Sequence, residues 1–81
     1  MAWFCYLLQC ADDTFYCGIT NDLDKRLVVH NAGEGAKYTR GRTPVRLAFQ
    51  ESCEDKSAAL KREIQIKRLT RQAKIALCKR K

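Results

Sequence analysis

Two apolar, aromatic-rich runs near the start of the chain, residues 3–10 and 14–19, are separated by a short polar break. Runs of this length and composition predict two strands that pair as a β-hairpin. Because side chains alternate between the two faces of a strand, Tyr16 shares a face with Gly18. A glycine inside a strand commonly marks a place where a ligand or another backbone comes close. The chain is therefore expected to begin with a hairpin that carries two tyrosines, Tyr6 and Tyr16.

The rest of the chain alternates between helical patterns, one more strand and a glycine-rich loop. Capping residues at its start and a glycine at its end predict a short helix, and an alternating apolar pattern predicts a third strand. A later segment holds strong helix formers and no Gly or Pro, which predicts the long helix of the fold. The predicted segments are a helix over about 22–32, a basic loop over 33–44, a strand over 45–51, a helix from Asp55 or Ser57 to Leu69, and a last short helix after Thr70.

The length of the chain limits how much it can bury. A chain of 81 residues forms one modest core, so we predict a single domain over residues 1–81 whose active site shares residues with that core. Its apolar runs are too short to cross a bilayer and its start lacks a signal-peptide pattern, so a cytoplasmic protein is expected. Five cysteines without a C-x-x-C motif predict reduced thiols, and Cys5 and Cys17 are interpreted as apolar packing residues.

The net charge of +7 is concentrated in the last third of the chain, where residues 56–81 hold ten Lys and Arg against the single Glu63. This asymmetry predicts a polyanionic partner. A basic segment could also lie on an anionic membrane, but its helix is too polar to insert deeply, so nucleic acid is favoured over a membrane. A basic face that is merely solvated is the alternative that charge alone leaves open.

Glu63 falls inside the predicted apolar stripe of the long helix. This stripe is formed by Ala59, Leu60, Ile64 and Ile66. A carboxylate that faces a core is costly unless it is paired, hydrogen-bonded or bound to a cation. One interpretation is an i,i+4 ion pair between Glu63 and Lys67 at the edge of the stripe. The other is a divalent metal ligand, and Mg²⁺ suits it because this ion needs only one or two protein carboxylates.

Arg26 and His30 lie four residues apart on the short helix, so their side chains project in the same direction. A guanidinium group suits phosphate oxygens, and an imidazole can transfer a proton or hydrogen-bond a nucleophile. Taken alone, a surface arginine is usually solvated, a single histidine is usually structural, and strand tyrosines usually fill a core. Paired strands could nevertheless bring the hydroxyl groups of Tyr6 and Tyr16 to one end of the sheet, where a phenol can relay a proton.

Taken together in chain order, these motifs resemble the GIY-YIG nuclease superfamily, and the chain looks most like its small stand-alone bacterial members. The second signature of the family is matched by Tyr16-Cys17-Gly18. The similarity then continues over Ile19 to Leu23, Arg26-Leu27, His30 to Gly33, Lys37 to Arg42, Pro44-Val45, and Glu63 to Thr70. It covers nearly the whole chain.

This resemblance implies an α/β (α+β) fold with a small three-stranded antiparallel sheet flanked by helices. It also implies a phosphodiester hydrolase that uses a single divalent ion, Mg²⁺ or Mn²⁺, and no small-molecule cofactor. The family's catalytic positions are taken by Tyr6, Tyr16, Arg26, His30 and Glu63. Glu63 would hold the metal, Arg26 would neutralise charge on the phosphate, and a tyrosine, or His30 through a hydrogen bond, would activate water. Which tyrosine is the base is left open.

The chain departs from the family pattern at three places. Its first signature reads Phe4-Cys5-Tyr6 where the family has Gly-Ile-Tyr, so only the tyrosine is kept. Ile19 stands where some members carry a lysine, and no asparagine is found near Ile75, where many larger members have one. Weak catalysis is therefore one expectation.

The expected substrate is nucleic acid, with DNA preferred. The residues expected to bind it are Lys37, Tyr38, Arg40, Arg42, Lys67, Arg68 and Arg71. These side chains suit phosphates and offer no evident means of reading bases, so low sequence specificity is expected. The first hypothesis is a metal-dependent nuclease in DNA repair or recombination. The alternatives are a nucleic-acid-binding module with a decayed site, and a subunit whose protein partner supplies specificity.

Overall fold

The computed structural model describes residues 2–79. Met1, Arg80 and Lys81, which belong to the predicted domain and, for the last two, to its basic C-terminal third, lie outside the described residues. The elements in chain order are β1 (Trp3–Gln9), β2 (Phe15–Thr20), α1 (Leu23–Asn31), a 3-10 turn (Lys37–Thr39), β3 (Arg46–Cys53), α2 (Lys56–Lys67) and α3 (Arg71–Lys79). No helix in this part of the chain is long and apolar enough to span a membrane.

The predicted hairpin is formed by β1 and β2, which pair antiparallel. Asp12 organises its turn, because its side chain accepts hydrogen bonds from the backbone and the hydroxyl group of Thr14, at 3.2 Å and 2.6 Å. Asp13 adopts a positive φ of 65° there, a conformation that Asp tolerates better than most residues. The resulting register places Tyr6 directly opposite Gly18.

The third strand, β3, pairs antiparallel with the other side of β1, so the strand order is β2-β1-β3. The strand predicted over 45–51 spans Arg46–Cys53 in the structure, and its register against β1 shifts between Leu7 and Leu8. Central strand β1 is paired on both sides and buried over Cys5–Leu8, which explains its nearly continuous apolar sequence. The predicted three-stranded antiparallel sheet flanked by helices is confirmed.

Each helix begins at a residue that caps it through a side-chain oxygen. Asp22 accepts from the backbone of Lys25 at 3.1 Å and Asp55 from Ala58 at 2.8 Å. Thr70 accepts from the backbone of Ala73 at 3.1 Å at the start of α3. These bonds satisfy backbone N–H groups that a helix start leaves free, and they lie where the sequence predicted them.

The sheet separates two hydrophobic clusters. The cluster on the α1 side comprises Tyr6, Leu8, Cys10 and Val45, with Tyr16, Leu23, Leu27 and Leu47 packed against it. The cluster on the side of α2 and α3 comprises Cys5, Leu7, Cys17, Ile66 and Leu77. Alternation along β1 and β2 accounts for this division, and it places the two strand cysteines in the core as predicted. The two tyrosines share the α1 face of the sheet.

The inward face of α2 differs from the prediction. Leu60 and Ile64 are 41% and 53% exposed, whereas Ala59 and Ile66 are fully buried. Successive residues turn by about 100°, so a face centred on Ala59 and Ile66 carries Arg62 and Glu63, and turns Leu60 and Ile64 outward. Arg62 is compensated there by an ion pair with Glu51 of β3, at 2.9 Å. Glu63 therefore lies at the edge of the buried face, whereas the predicted stripe had placed it near the centre.

Candidate active site

Tyr6 lies on the α1 face of β1, where its phenol fills the space above Gly18. A Cβ atom built on Gly18 would lie 2.5 Å from the Tyr6 hydroxyl oxygen and 3.1 Å from Cε2 of Tyr16. Both distances are shorter than ordinary contacts, so any side chain at position 18 would displace the tyrosines. The sequence predicted a close approach to this glycine by a ligand or another backbone, whereas in the structure the side chains of Tyr6 and Tyr16 lie against it.

Tyr16 sits diagonally across the hairpin from Tyr6, with 6.4 Å between the ring centroids. Its ring is also 5.2 Å from the imidazole of His30. Tyr16 is half-buried, whereas Tyr6 is only 2% exposed. Of the two tyrosines, Tyr16 is therefore the one whose side chain meets solvent.

His30 lies in the last turn of α1 and is completely buried. Its Nε2 is 3.1 Å from the Tyr6 hydroxyl oxygen, and its Nδ1 is 2.9 Å from the hydroxyl oxygen of Thr39. The Thr39 hydroxyl also donates to the backbone oxygen of Ala36 at 2.9 Å. Both ring nitrogens thus have partners inside the protein.

Burial and charge shift the acidities of this cluster. Burial lowers the pKa of His30 below its usual value near 6.5, and the positive charge of Arg26 lowers it further. Burial raises the pKa of Tyr6, an effect that Arg26 opposes through a hydrogen bond and through its charge. Arg26, one turn before His30 on α1, therefore affects the pKa of both residues. At neutral pH His30 is a neutral imidazole and Tyr6 a protonated phenol.

The lowered pKa of His30 predicts that the protein loses stability as the pH falls from 7.5 to 5.5. An unfolded chain binds a proton at this histidine below about pH 6.5, while the folded state, with its lower pKa, resists it, so stability rises with pH across this window. Thermal unfolding of the wild type and of His30→Gln at several pH values checks this. The variant, which lacks the titrating group, should show a flatter pH dependence; equal slopes would contradict the prediction.

The loop over 33–44 covers the cluster with a second aromatic layer. Tyr38 stacks on Tyr16 with 6.0 Å between ring centroids and 29° between planes, and the Arg42 guanidinium carbon lies 4.4 Å from the Tyr38 centroid. Arg42 also pairs with Asp12 at 2.9 Å and donates to the Tyr38 carbonyl at 2.6 Å. Arg42 thus holds the loop in place, while the neighbouring Lys37, Tyr38 and Arg40 are exposed.

Glu63 lies on the other face of the sheet from the tyrosines. Its backbone oxygen is 4.0 Å from the sulfur of Cys17, the residue that follows Tyr16 on β2. Its side chain is 18% exposed and one carboxylate oxygen lies 3.7 Å from Nζ of Lys67, so the predicted i,i+4 pair forms. Strand β2, which is an edge strand of the sheet, therefore lies between Glu63 and Tyr16.

The structure therefore gathers four of the five predicted catalytic residues, Tyr6, Tyr16, Arg26 and His30, on the α1 face. It places the fifth, Glu63, behind the edge strand that carries Tyr16. The predicted nucleic-acid-binding residues Lys67, Arg68 and Arg71 are exposed near the junction of α2 and α3.

Sequence patterns missed three residues that shape this site. Thr39 bonds His30, and Asn31 exchanges two hydrogen bonds with the backbone of Val45, at 2.7 Å and 3.1 Å. Gly35 packs so tightly against His30 that a Cβ atom would lie 2.7 Å from its Cγ and 2.9 Å from its Cα. The signals were weak: a glycine in a loop, a threonine among basic residues, and an asparagine near the end of the predicted short helix.

The carboxylate of Glu63 fits a divalent ion that is held by few protein ligands. Among residues 2–79, no three or more His, Cys, Asp and Glu side chains come together as a metal cage. Mg²⁺ does not require one, because it keeps several waters and binds through one or two carboxylates together with phosphates. Glu63 offers such a carboxylate, partly shielded from solvent and held only at 3.7 Å by its cationic partner.

A three-stranded sheet with helices on both faces, carrying two tyrosines, an arginine and a histidine in one cluster, is the arrangement that the sequence resemblance implies. The chain matches the family described as the GIY-YIG catalytic domain over residues 2–76. The chain belongs to the GIY-YIG family, a superfamily of nucleases whose members generally use divalent metal ions. The predicted family membership is confirmed.

Its relatives are small UPF0213 proteins of bacteria and archaea. The UPF0213 protein of Halobacterium salinarum is 54% identical over 72 residues, which cover 89% of this chain and 94% of the relative. That of Staphylococcus aureus is 50% identical over 76 residues, covering 94% and 93%. The solution NMR structure of the UPF0213 protein BH0048 from Bacillus halodurans is 42% identical, with a TM-score of 0.59 and coverage of 95% and 82%. The NMR structure of EF2693 from E. faecalis is 41% identical, with a TM-score of 0.64 and coverage of 94% and 81%.

Proposed function

We propose that the chain is a metal-dependent nuclease that hydrolyses phosphodiester bonds in DNA with low sequence specificity, in the cytoplasm and in the service of repair or recombination. The observation that carries the proposal is the cluster on the α1 face, in which Tyr6 and His30 form a buried hydrogen bond beside Tyr16 and Arg26. A buried polar cluster is costly for a chain of this size, and a catalytic role explains its presence in a nuclease family.

We infer different roles for the members of the cluster from their exposure to solvent. Arg26 is half-buried with a guanidinium suited to phosphate oxygens, so it binds the scissile phosphate and neutralises charge that develops there. Tyr16 meets solvent and orients or deprotonates the attacking water. Tyr6 and His30 are buried below it and hold the cluster in its neutral, hydrogen-bonded form.

Glu63 is the residue that would hold the divalent ion, Mg²⁺ or Mn²⁺. A bound ion at such a carboxylate supplies Lewis-acid stabilisation of the phosphate and of the leaving oxygen. The DNA strand then lies along the free edge of β2, where it can be approached by Arg26 from one face of the sheet and by Glu63 from the other. This placement explains how residues on opposite faces can serve one phosphate.

A second candidate function is nucleic-acid binding without efficient turnover, either by the chain alone or as a subunit whose protein partner supplies specificity. The observation that favours it is the ion pair between Glu63 and Lys67, which neutralises the proposed metal ligand.

A cleavage assay distinguishes the nuclease from the binding module. Labelled single-stranded, duplex and branched DNA are each incubated with the protein and with Mg²⁺, Mn²⁺ or EDTA. Cleavage with either metal and none with EDTA supports the nuclease, and the most rapidly cut DNA identifies the preferred structure. Binding to every DNA without cleavage would support the binding module instead.

The basic surface predicts how binding responds to salt. Arg40 and Arg68 are exposed, and each is expected to neutralise about one phosphate. Replacing either by Gln should lower the slope of log Kobs against log salt concentration by about 1. Fluorescence anisotropy at several salt concentrations measures the slope. Lys25→Gln carries the same change of charge outside the predicted surface and should leave the slope near the wild-type value; an equal change in this control would contradict the assigned surface.

A further inference from the structure

Thr39 connects the loop over 33–44 with the catalytic cluster. Its hydroxyl oxygen is 2.9 Å from Nδ1 of His30 and 2.9 Å from the backbone oxygen of Ala36. On the other side of the imidazole, Nε2 is 3.1 Å from the hydroxyl oxygen of Tyr6. Thr39 and His30 are fully buried and Tyr6 nearly so, which leaves these groups to satisfy one another.

The number of protons fixes the direction of every bond in this series. A threonine hydroxyl has one proton, and the Ala36 carbonyl can only accept, so that proton lies between Thr39 and Ala36. The Thr39 oxygen must then accept from His30, which places the imidazole proton on Nδ1. In a neutral imidazole the other nitrogen, Nε2, is an acceptor, so the Tyr6 hydroxyl donates to it.

The Tyr6 hydroxyl proton is thereby turned toward His30, which leaves both lone pairs of the Tyr6 oxygen available to accept hydrogen bonds. With the opposite tautomer of His30, Nε2 would donate to Tyr6, occupy one of these lone pairs and turn the hydroxyl proton of Tyr6 away from His30.

We propose that Thr39 is a positioning residue for Tyr6, acting by fixing His30 as the Nδ1–H tautomer and thereby turning the Tyr6 hydroxyl proton toward Nε2. This role rests on the proposed function only in its last step, the contribution of the cluster around Tyr6 to cleavage. The hydrogen-bond order itself can be tested without any enzyme assay.

The tautomer is measurable because His30 is the only histidine in the chain. In a tag-free, ¹⁵N-labelled sample near pH 7.5, two-bond ¹H–¹⁵N correlations of the imidazole should show a protonated Nδ1 and an unprotonated Nε2. Thr39→Val keeps the shape of the side chain without its hydroxyl group and should shift the population toward the Nε2–H form. Thr39→Ser keeps the hydroxyl group and should retain the wild-type pattern. A wild-type imidazole with its proton on Nε2, or a pattern unchanged in Thr39→Val, would overturn the proposal.

A cleavage assay tests the positioning step. Thr39→Val should lower the single-turnover rate at saturating protein by about tenfold or more, with DNA affinity near wild type, and Thr39→Ser should restore most of the rate. If the tautomer changes in Thr39→Val but the rate does not, the positioning role fails. If Thr39→Val does not fold, the wild-type spectrum and Thr39→Ser still decide the tautomer. A wild type that shows the expected tautomer but never cleaves DNA would refute the proposed function and leave the hydrogen-bond order intact.

Discussion

Glu63→Gln is expected to lower the rate of metal-dependent DNA cleavage by about 100-fold or more while leaving DNA binding near the wild-type level. Glutamine has the size of glutamate, so α2 should pack as before, but its neutral amide is a poor ligand for a hard divalent cation. Loss of cleavage with retained DNA binding distinguishes a metal ligand from a residue that only supports the fold. Single-turnover cleavage in Mg²⁺ and binding in EDTA measure the two effects.

Two variants serve as controls for Glu63→Gln. Lys67→Gln removes the ion-pair partner of Glu63 but keeps the carboxylate, so metal-dependent cleavage should persist in this variant. Glu34→Gln removes an exposed carboxylate in the loop and should behave as wild type. Cleavage by Glu63→Gln at the wild-type rate would exclude Glu63 as the metal ligand and would assign it to the ion pair with Lys67 alone.

Gly35→Ala is expected to reduce the free energy of unfolding by about 2–3 kcal/mol and to disturb the cluster. The added methyl group would lie 2.7 Å from Cγ and 2.9 Å from Cα of His30, so part of the loop or of α1 must move. Movement of His30 would also lengthen its bonds to Tyr6 and Thr39. Urea unfolding, together with cleavage at saturating protein, measures both effects.

Gly33 supplies a matched comparison two residues earlier in the same loop. It has a φ of +79° and no neighbour within 4 Å of a built Cβ atom, so Gly33→Ala should cost about 1 kcal/mol through backbone strain alone. Gly35 needs no positive φ, and its variant should nevertheless lose more stability. A smaller loss for Gly35→Ala than for Gly33→Ala would contradict the packing of the loop on His30.

Much of the fold could be predicted because its signals are local. Alternation predicted the hairpin and placed Tyr16 on the face of Gly18, and the capping residues Asp22, Asp55 and Thr70 marked the helix starts within one or two residues. The family resemblance then supplied the sheet that joins these pieces. Local pattern was insufficient for α2, where Leu60 and Ile64 are exposed because Arg62 can reach Glu51 and take an inward position.

The site was predictable to the extent that spacing determines geometry. Arg26 and His30 project together because they are four residues apart. In the structure the positive charge of Arg26 accordingly lowers the pKa of His30. The side of the sheet on which Glu63 lies depends on how α2 packs, which no spacing within the helix reveals. Thr39 and Gly35 reach His30 through the path of an irregular loop, and loops carry too little periodicity to predict such contacts.

The most direct test of the account is the single-turnover rate of DNA cleavage as a function of Mg²⁺ concentration, for the wild type and for Tyr16→Phe. Phenylalanine keeps the ring that stacks with Tyr38 and removes only the hydroxyl group that is proposed to act on water. We predict a wild-type rate that saturates with Mg²⁺ and vanishes in EDTA, and a rate at least about tenfold lower for Tyr16→Phe at every Mg²⁺ concentration. Equal rates for the two proteins, or a wild type that binds DNA and never cuts it, would contradict the account.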